Sequence, residues 1–316
     1  MYTYIVILVI LVIASYTYLK LAIKFKIIDK PNHRSSHAKI TVRGGGIIFS
    51  KAIFLFFFFN AYQYPFFVLG LFLIAVVSFL DDIYTLSSKI RFPFQFIAVY
   101  LILYEVGLPF DPIYMFVMYL IVGIGIVNMF NFMDGINGMT GFYSLAVISG
   151  LYVVNMNEQI VNSELMIYVG ISIAVFGFYN FRKKALFFAG DIGSISIGML
   201  IFFIGFYLSY TLNSPLILLF VIVYGADAGN TLLYRKFFTK ENIFKPHRHH
   251  IYEKLVDVKK MSHLKVSILY SGVQLVVNGV IYKTYHLGLQ AQFLVFVILA
   301  SIFTLFYIYL FKKLKI

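Results

Sequence analysis

Gly190-Asp191-Ile192-Gly193-Ser194 places one acid between two glycines, and an apolar run from about 193 to 210 begins at once. A run of about 17–25 apolar residues can cross the hydrocarbon of a bilayer, and the glycines permit a tight turn at its entry. The start of a helix carries unpaired amides and the positive end of the macrodipole, so it favours anions. A carboxylate there suits a magnesium ion carrying phosphates, because that metal takes few protein oxygens and keeps its other positions for water and substrate. The alternative is that Asp191 simply caps the helix.

Outward from this stretch, 61% of the residues are hydrophobic and 12% are charged, with only 13 Asp plus Glu in 316 positions. That composition excludes a soluble globular domain and points to an all-α integral membrane protein. Apolar runs fall near 2–23, 45–60, 65–80, 92–106, 112–131, 139–154, 164–180, 193–210, 215–234, 264–282 and 289–311. They predict about eleven transmembrane helices, or ten given that several runs are short. No internal repeat or separate soluble segment interrupts them, so residues 1–316 are expected to form one polytopic domain.

The formal charge of +13 does not imply nucleic acid. Lys and Arg are concentrated in alternate loops: 24–44, Lys89 with Arg91, 182–184, 235–260 and 312–315. The intervening connections near 61–64, 107–111, 155–163 and 211–214 carry none. The positive-inside rule then puts the N-terminus outside and the basic loops in the cytoplasm. A retained first helix is expected, since no basic residue precedes the first run. The absence of cysteine excludes disulfides and thiolate metal sites.

The polar clusters all fall at helix ends on the basic side. Adjacent Asp81-Asp82 closes one run and precedes Lys89 and Arg91; one acid of such a pair can accept a proton while the other orients a partner. A wetted membrane boundary is the plainer reading. Asn128, Asn131 and Asp134 recur every third residue on one helical face, followed by Gly135, Gly138 and Gly141. They suit a ligand pocket, or else interhelical hydrogen bonding. His247-Arg248-His249-His250 suits phosphate oxygens, or is a solvated basic loop. Gly44-Gly45-Gly46 after Arg43 either offers amides to an anion or lets two helices approach closely. Phe237, Phe238 and Phe244, then Ile251, Leu255 and Val258, suggest a short interfacial helix or an ordinary amphipathic connector.

Taken in order, these motifs resemble the polyprenyl-phosphate N-acetylhexosamine-1-phosphate transferases. The resemblance is carried by Asp29-Lys30-Pro31 with His37 and Gly44-Gly45, and by Asp81-Asp82 with Lys89-Ile90-Arg91. Asn128 to Gly138, Gly190 to Ser194, Asp227 and His247 to His250 complete it, and Lys254-Leu255 looks like the branch serving O-antigen or capsule assembly. The resemblance implies that undecaprenyl phosphate attacks the sugar-linked phosphorus of a UDP-N-acetylhexosamine and releases UMP at the cytoplasmic face of a bacterial inner membrane. By the same resemblance Asp191, with Asn131, holds Mg2+, for which Mn2+ can substitute. Asp81 or Asp82 positions or deprotonates the lipid phosphate, and Lys89 contacts phosphates. Asp134 helps form the nucleotide pocket, and His247, Arg248, His249 and His250 engage the sugar phosphate or acceptor. Asn128, Asn131, Asp134, Asn137, Gly44 and Gly45 make the substrate-binding set. Many relatives carry Asp where this chain has Asn137, which removes a charge at that point. The expected partners are the two substrates and the lipid bilayer, with no nucleic acid and with a homodimer as an admissible assembly. The alternatives are a phospho-N-acetylmuramoyl-pentapeptide transferase and, from another class, an ion-coupled transporter.

Overall fold

The computed structural model describes residues 2–29, 31, 40–242 and 247–314. Lys30, His37 and Phe244 of the motifs above lie outside the described residues. The α-helices are α1 (Tyr2–Lys24), α2 (Ile47–Phe59), α3 (Pro65–Tyr84), α4 (Ser88–Val106), α5 (Ile113–Phe132) and α6 (Met139–Glu158). They continue with α7 (Ser163–Asn180), α8 (Gly190–Thr211), α9 (Ile222–Tyr234), α10 (Ile251–Asp257), α11 (His263–Thr284) and α12 (Leu289–Lys313). A 3-10 segment, Pro215–Val221, leads into α9, and a π segment, Arg235–Thr239, extends it. Between α1 and α2, strands β1 (Ile28–Asp29) and β2 (Thr41–Val42) pair antiparallel, with Ile28 opposite Val42.

Every apolar run of the sequence is helical, and the chain is a multi-pass membrane protein. Among the described residues, 9 helical segments are long and apolar enough to cross a bilayer. The expected eleven therefore depends on α2 and α4, which fall short for different reasons. With 13 residues, α2 rises only about 20 Å against a hydrocarbon core of about 30 Å. In α4, Lys89, Arg91, Gln95 and Glu105 dilute the apolar character. Both helices are bound into the bundle, α2 against α7 and α8, α4 against α3 and α5.

The centre of the bundle is α8. Nearly all of its residues are buried, from Gly190 to Ser209, as expected for a helix that is apolar all round. It packs against α2, α3, α5 and α6. Small residues make this possible, because association within lipid depends on close van der Waals approach. A Cβ on Gly193 would lie 2.7 Å from the Cα of Gly46, and one on Gly198 would lie 3.1 Å from the Cβ of Phe130. The Ser50 and Ser196 hydroxyls bond at 2.7 Å across the same α2–α8 contact. At the periphery, α12 buries only Gln292, Leu299, Phe303 and Tyr307.

This packing gathers the ends of α1, α3, α5, α7, α9 and α12 and the starts of α2, α4, α6, α8 and α11 at one face. Acids seal helix starts on both faces. At the opposite face, Glu105 Oε2 of α4 accepts from the amides of Phe66 and Phe67 at 2.6 and 3.0 Å. That satisfies donors which lipid would leave unpaired. Asp82 repeats the device where the chemistry lies.

Candidate active site

Asp81 and Asp82 form the last turns of α3, buried against the start of α8. Asp82 Oδ1 accepts from the Asp191 amide at 2.8 Å, and its Oδ2 from the Ile192 amide at 3.1 Å. The anion expected at this helix start is thus a carboxylate from another helix, and Asp191 is left to point elsewhere. Two arginines bind the acids together. Arg43 places Nε 2.6 Å from Asp82 Oδ1 and Nη2 3.0 Å from Asp191 Oδ1. Arg91 Nη1 bridges Asp81 Oδ2 at 2.7 Å and Asp191 Oδ2 at 3.0 Å. These carboxylates hold the Arg43 guanidinium more firmly protonated than usual, outweighing the opposing effect of burial. The carboxyls of Asp81 and Asp191 also come within hydrogen-bonding reach of each other, and Asn131 reaches Asp191.

The backbone holding this cluster depends on glycine at two points. Gly44 and Gly190 have φ of +78° and +72°, and a Cβ on Gly190 would lie 2.7 Å from the Gly44 amide nitrogen. The amides of Gly45 and Gly46 donate to the carbonyls of Phe188 and Ala189 at 2.8 and 2.9 Å. Those two amides bind protein carbonyls, which is the close-approach alternative for the glycine triplet.

The polar face of α5 divides by depth. Asn128 and Gln95 exchange amide hydrogen bonds at 3.0 and 3.2 Å, which ties α5 to α4. Asn131 donates to Ser194 Oγ at 3.3 Å and stands at the carboxylate cluster. Asp134 accepts from the Thr140 hydroxyl, and burial pushes its pKa up to about 8. The Thr140 bond opposes that rise, while the negative charges of Asp191 and Asp82 add to it. An aspartate raised from an ordinary 3.8 to about 8 stabilises the fold fully only below its unfolded value. That stability is lost as pH rises through the folded value. Asp134→Asn is therefore expected to flatten the fall of the thermal midpoint between about pH 4 and 8, where the unfolded chain has lost the proton that the folded protein still holds. Parallel slopes for the two proteins would refute the assignment.

Asn137 is a clasp. Its Nδ2 donates to the Arg182 carbonyl at 3.0 Å, its N–H to His263 Nδ1 at 3.3 Å, and its carbonyl accepts from Ser267 Oγ at 2.9 Å. Asn180 works beside it, accepting from the Gly138 amide at 2.7 Å and donating to the Phe187 carbonyl at 3.0 Å. An ionised carboxylate at position 137 has no hydrogen to offer the Arg182 carbonyl.

The histidine cluster is more internally paired than a solvated basic loop. Arg248 makes a two-pronged ion pair with Asp257, through Nε at 3.0 Å and Nη2 at 2.9 Å. His250 is buried with Nδ1 3.1 Å from Asp227 Oδ1. Asp227 also accepts from the amides of Ile251 and Tyr252 at 3.0 and 3.2 Å and from the Tyr270 hydroxyl at 2.6 Å, so it seals the start of α10. His249 Nε2 lies 3.1 Å from Glu241 Oε1. Burial, reinforced by His250, Arg235 and His249, pushes the His247 pKa down to about 3, so that ring is neutral near pH 7. Tyr252 links the cluster to α5: its ring stacks on His250 at 5.6 Å, and its hydroxyl donates to the Phe132 carbonyl at 3.1 Å. Lys89 is exposed in the first turn of α4.

Residues 64–209, which contain all three aspartates of the cluster and the α5 face, match the glycosyl transferase family 4 model. Over those residues the chain is similar to this family. It is 27% identical over 309 residues to a probable undecaprenyl-phosphate N-acetylglucosaminyl 1-phosphate transferase of Bacillus subtilis, covering 89% of this chain and 84% of that protein. It is 28% identical over 260 residues to the undecaprenyl-phosphate alpha-N-acetylglucosaminyl 1-phosphate transferase of Yersinia pestis, covering 74% and 70%. A phospho-N-acetylmuramoyl-pentapeptide-transferase of Thermotoga maritima matches at 28% over 176 residues, or 49% of this chain and 56% of that one. All three relatives are named as transferases.

A divalent ion suits the cluster's chemistry. Asp81 and Asp191, within hydrogen-bonding reach of each other, share only one bridging cation, Arg91 Nη1. Three carboxylates against two guanidiniums also leave one excess negative charge. Among the described residues no group of three or more His, Asp or Glu encloses a metal unaided. An ion such as Mg2+ takes one or two carboxylates and completes its shell with substrate phosphate and water. Arg43, Thr140, Asn180 and Tyr252 were not singled out as site residues by the sequence reading. Only Arg43 carried a local signal, its place immediately before the glycine triplet.

Proposed function

We propose that this enzyme transfers an N-acetylhexosamine 1-phosphate from a UDP-sugar to undecaprenyl phosphate, releasing UMP and starting a lipid-linked surface polysaccharide. The observation that carries this reading is the Asp81–Asp82–Asp191 cluster clamped by Arg43 and Arg91 at one face of the bundle. The arginines offset repulsion between an anionic acceptor and an anionic donor. Asp191 and Asn131 would hold Mg2+, or Mn2+ in its place, which would neutralise charge on the transferring phosphate and improve the UMP leaving group. Asp81, whose Oδ1 accepts from the Leu86 amide, faces the open loop before α4 and suits positioning or deprotonating the acceptor. Asp82 orients the start of α8 and, through Arg43, the Asp191 carboxylate.

A long acceptor chain has a matching surface. A cavity of about 1080 Å³ runs between α5, α9 and α12, with Met118, Phe132, Leu219, Leu232, Phe293 and Phe296 among its walls. From Met118 to Phe132 the α5 wall extends about 21 Å, most of the depth of the hydrocarbon. It ends one residue past Asn131, so a polyprenyl tail lying there would bring its phosphate to the cluster.

The test is to incubate membranes containing the protein with undecaprenyl phosphate and a panel of UDP-sugars, and to identify the lipid product by mass. A hexosamine-1-phosphate-linked undecaprenyl product supports the reading; transfer only from the muramoyl-pentapeptide donor, or none, sinks it. The asymmetry of the basic loops supports a cytoplasmic position for this face with the N-terminus outside, and the proposed reaction would set the protein in a bacterial inner membrane. Cysteines introduced at Asn157 and Asn242 are expected to label from opposite sides, Asn242→Cys from the cytoplasm. Cytoplasmic labelling of Asn157→Cys would reverse the orientation.

A further inference from the structure

A second cavity, of about 540 Å³, lies between α1, α2 and α3 and shares no wall with the large groove. Its lining is mostly apolar or aromatic, including Leu21, Phe25, Ile47 and Phe79, with Thr17 and a single charged residue, Lys51. An ionisable side chain within an apolar helix is costly and calls for a partner. Among the described residues Lys51 has no ion pair or hydrogen bond, and no carboxylate acts on it. The rim residues Leu21, Phe25, Ile83 and Tyr84 are exposed, which opens the cavity toward the bilayer near the face that carries the active site. Lys51 stands one turn inside the start of α2, a depth of about 6 Å from Ile47, within reach of the headgroup level for a long flexible side chain.

We propose that this cavity is a binding site for an anionic phospholipid of the surrounding bilayer, whose phosphate pairs with Lys51 and whose acyl chain lies on the walls of α1 and α3. Charge complementarity selects the occupant: a lone ammonium in apolar surroundings gains most from an anion that brings its own apolar chain. The site adjoins the catalytic cluster through Tyr18. That residue lines the cavity, donates its hydroxyl to the Arg43 carbonyl at 2.6 Å, and holds its ring carbon Cζ 3.4 Å from where a Gly44 Cβ would be. A bound chain would brace Tyr18 and with it the Arg43 backbone, so occupancy should steady the clamp on Asp82 and Asp191.

The experiment measures the thermal midpoint of the purified full chain in neutral detergent with added phosphatidylglycerol, phosphatidylcholine or undecaprenyl phosphate, for wild type, Lys51→Gln and Lys51→Arg. Phosphatidylglycerol is expected to raise the wild-type and Lys51→Arg midpoints by several degrees over phosphatidylcholine, and the Lys51→Gln midpoint by less than half as much. Equal shifts in wild type and Lys51→Gln overturn the proposal. So does a Lys51-dependent shift given by undecaprenyl phosphate alone, which would make the cavity part of the acceptor site. Should Lys51→Gln fail to fold, native mass spectrometry of wild type from an equimolar lipid mixture decides. Preferential retention of phosphatidylglycerol supports the site, and equal retention of both phospholipids refutes it.

Discussion

Asp191→Asn is expected to lower turnover by about two to three orders of magnitude, the loss typical of removing one major electrostatic stabiliser from a preorganised site. Asp191 is the point at which the cluster converges: Arg43 reaches one of its oxygens and Arg91 the other, each at 3.0 Å, with Asn131 alongside. The amide keeps the shape but removes the charge that both guanidiniums and a divalent ion would share. The α8 start should survive, because its first amides are held by Asp82. Initial rates should therefore fall while the thermal midpoint moves little. Chelation of divalent ions should abolish transfer by wild type, with Mg2+ restoring it. Near-normal turnover by a correctly inserted Asp191→Asn protein would remove Asp191 from the site.

The bundle was legible in the sequence because lipid imposes a simple rule: each apolar run must satisfy its backbone internally, and helices do that. Eleven runs became eleven helical segments. The rule does not say whether a 13-residue helix such as α2 crosses alone. The site was legible as an ordered series of polar helix ends, yet its wiring was not. Spacing places Asp82 and Gly190 at the ends of two helices more than 100 positions apart, and only packing shows that one caps the other. The same limit applies to the histidine loop, where Asp257 claims Arg248 and Asp227 claims His250. Charge density along the chain cannot show which cations are already paired. Asn137 is a further case: the sequence shows a missing charge, whereas the fold shows an amide bonding two strands of loop.

Asp81 and Asp82, adjacent and chemically identical, should respond differently to the same substitution. Asp82→Asn replaces one acceptor oxygen by a donor group at a position that faces the Asp191 and Ile192 amides and Arg43 Nε, all of them donors. Whichever way the amide turns, a donor meets a donor, so the start of α8 must shift and carry Asp191 with it. Asp82→Asn is therefore expected to lose about 100-fold or more at every pH, in the manner of a displaced catalytic group. Asp81→Asn also sets a donor against either Arg91 or the Leu86 amide, but those groups belong to α4 and the loop before it, so the start of α8 keeps its Asp82 cap. If Asp81 takes a proton from the acceptor phosphate, the loss depends on how much of that phosphate already lacks it. A phosphate monoester has its second ionisation near 6, so help in removing the proton matters most at the acid end. Initial rates measured from about pH 6 to 9 should show the Asp81→Asn deficit narrowing as pH rises and the Asp82→Asn deficit staying constant. A deficit for Asp81→Asn that is large and flat across that range would leave Asp81 an electrostatic and positional role, with no part in proton transfer.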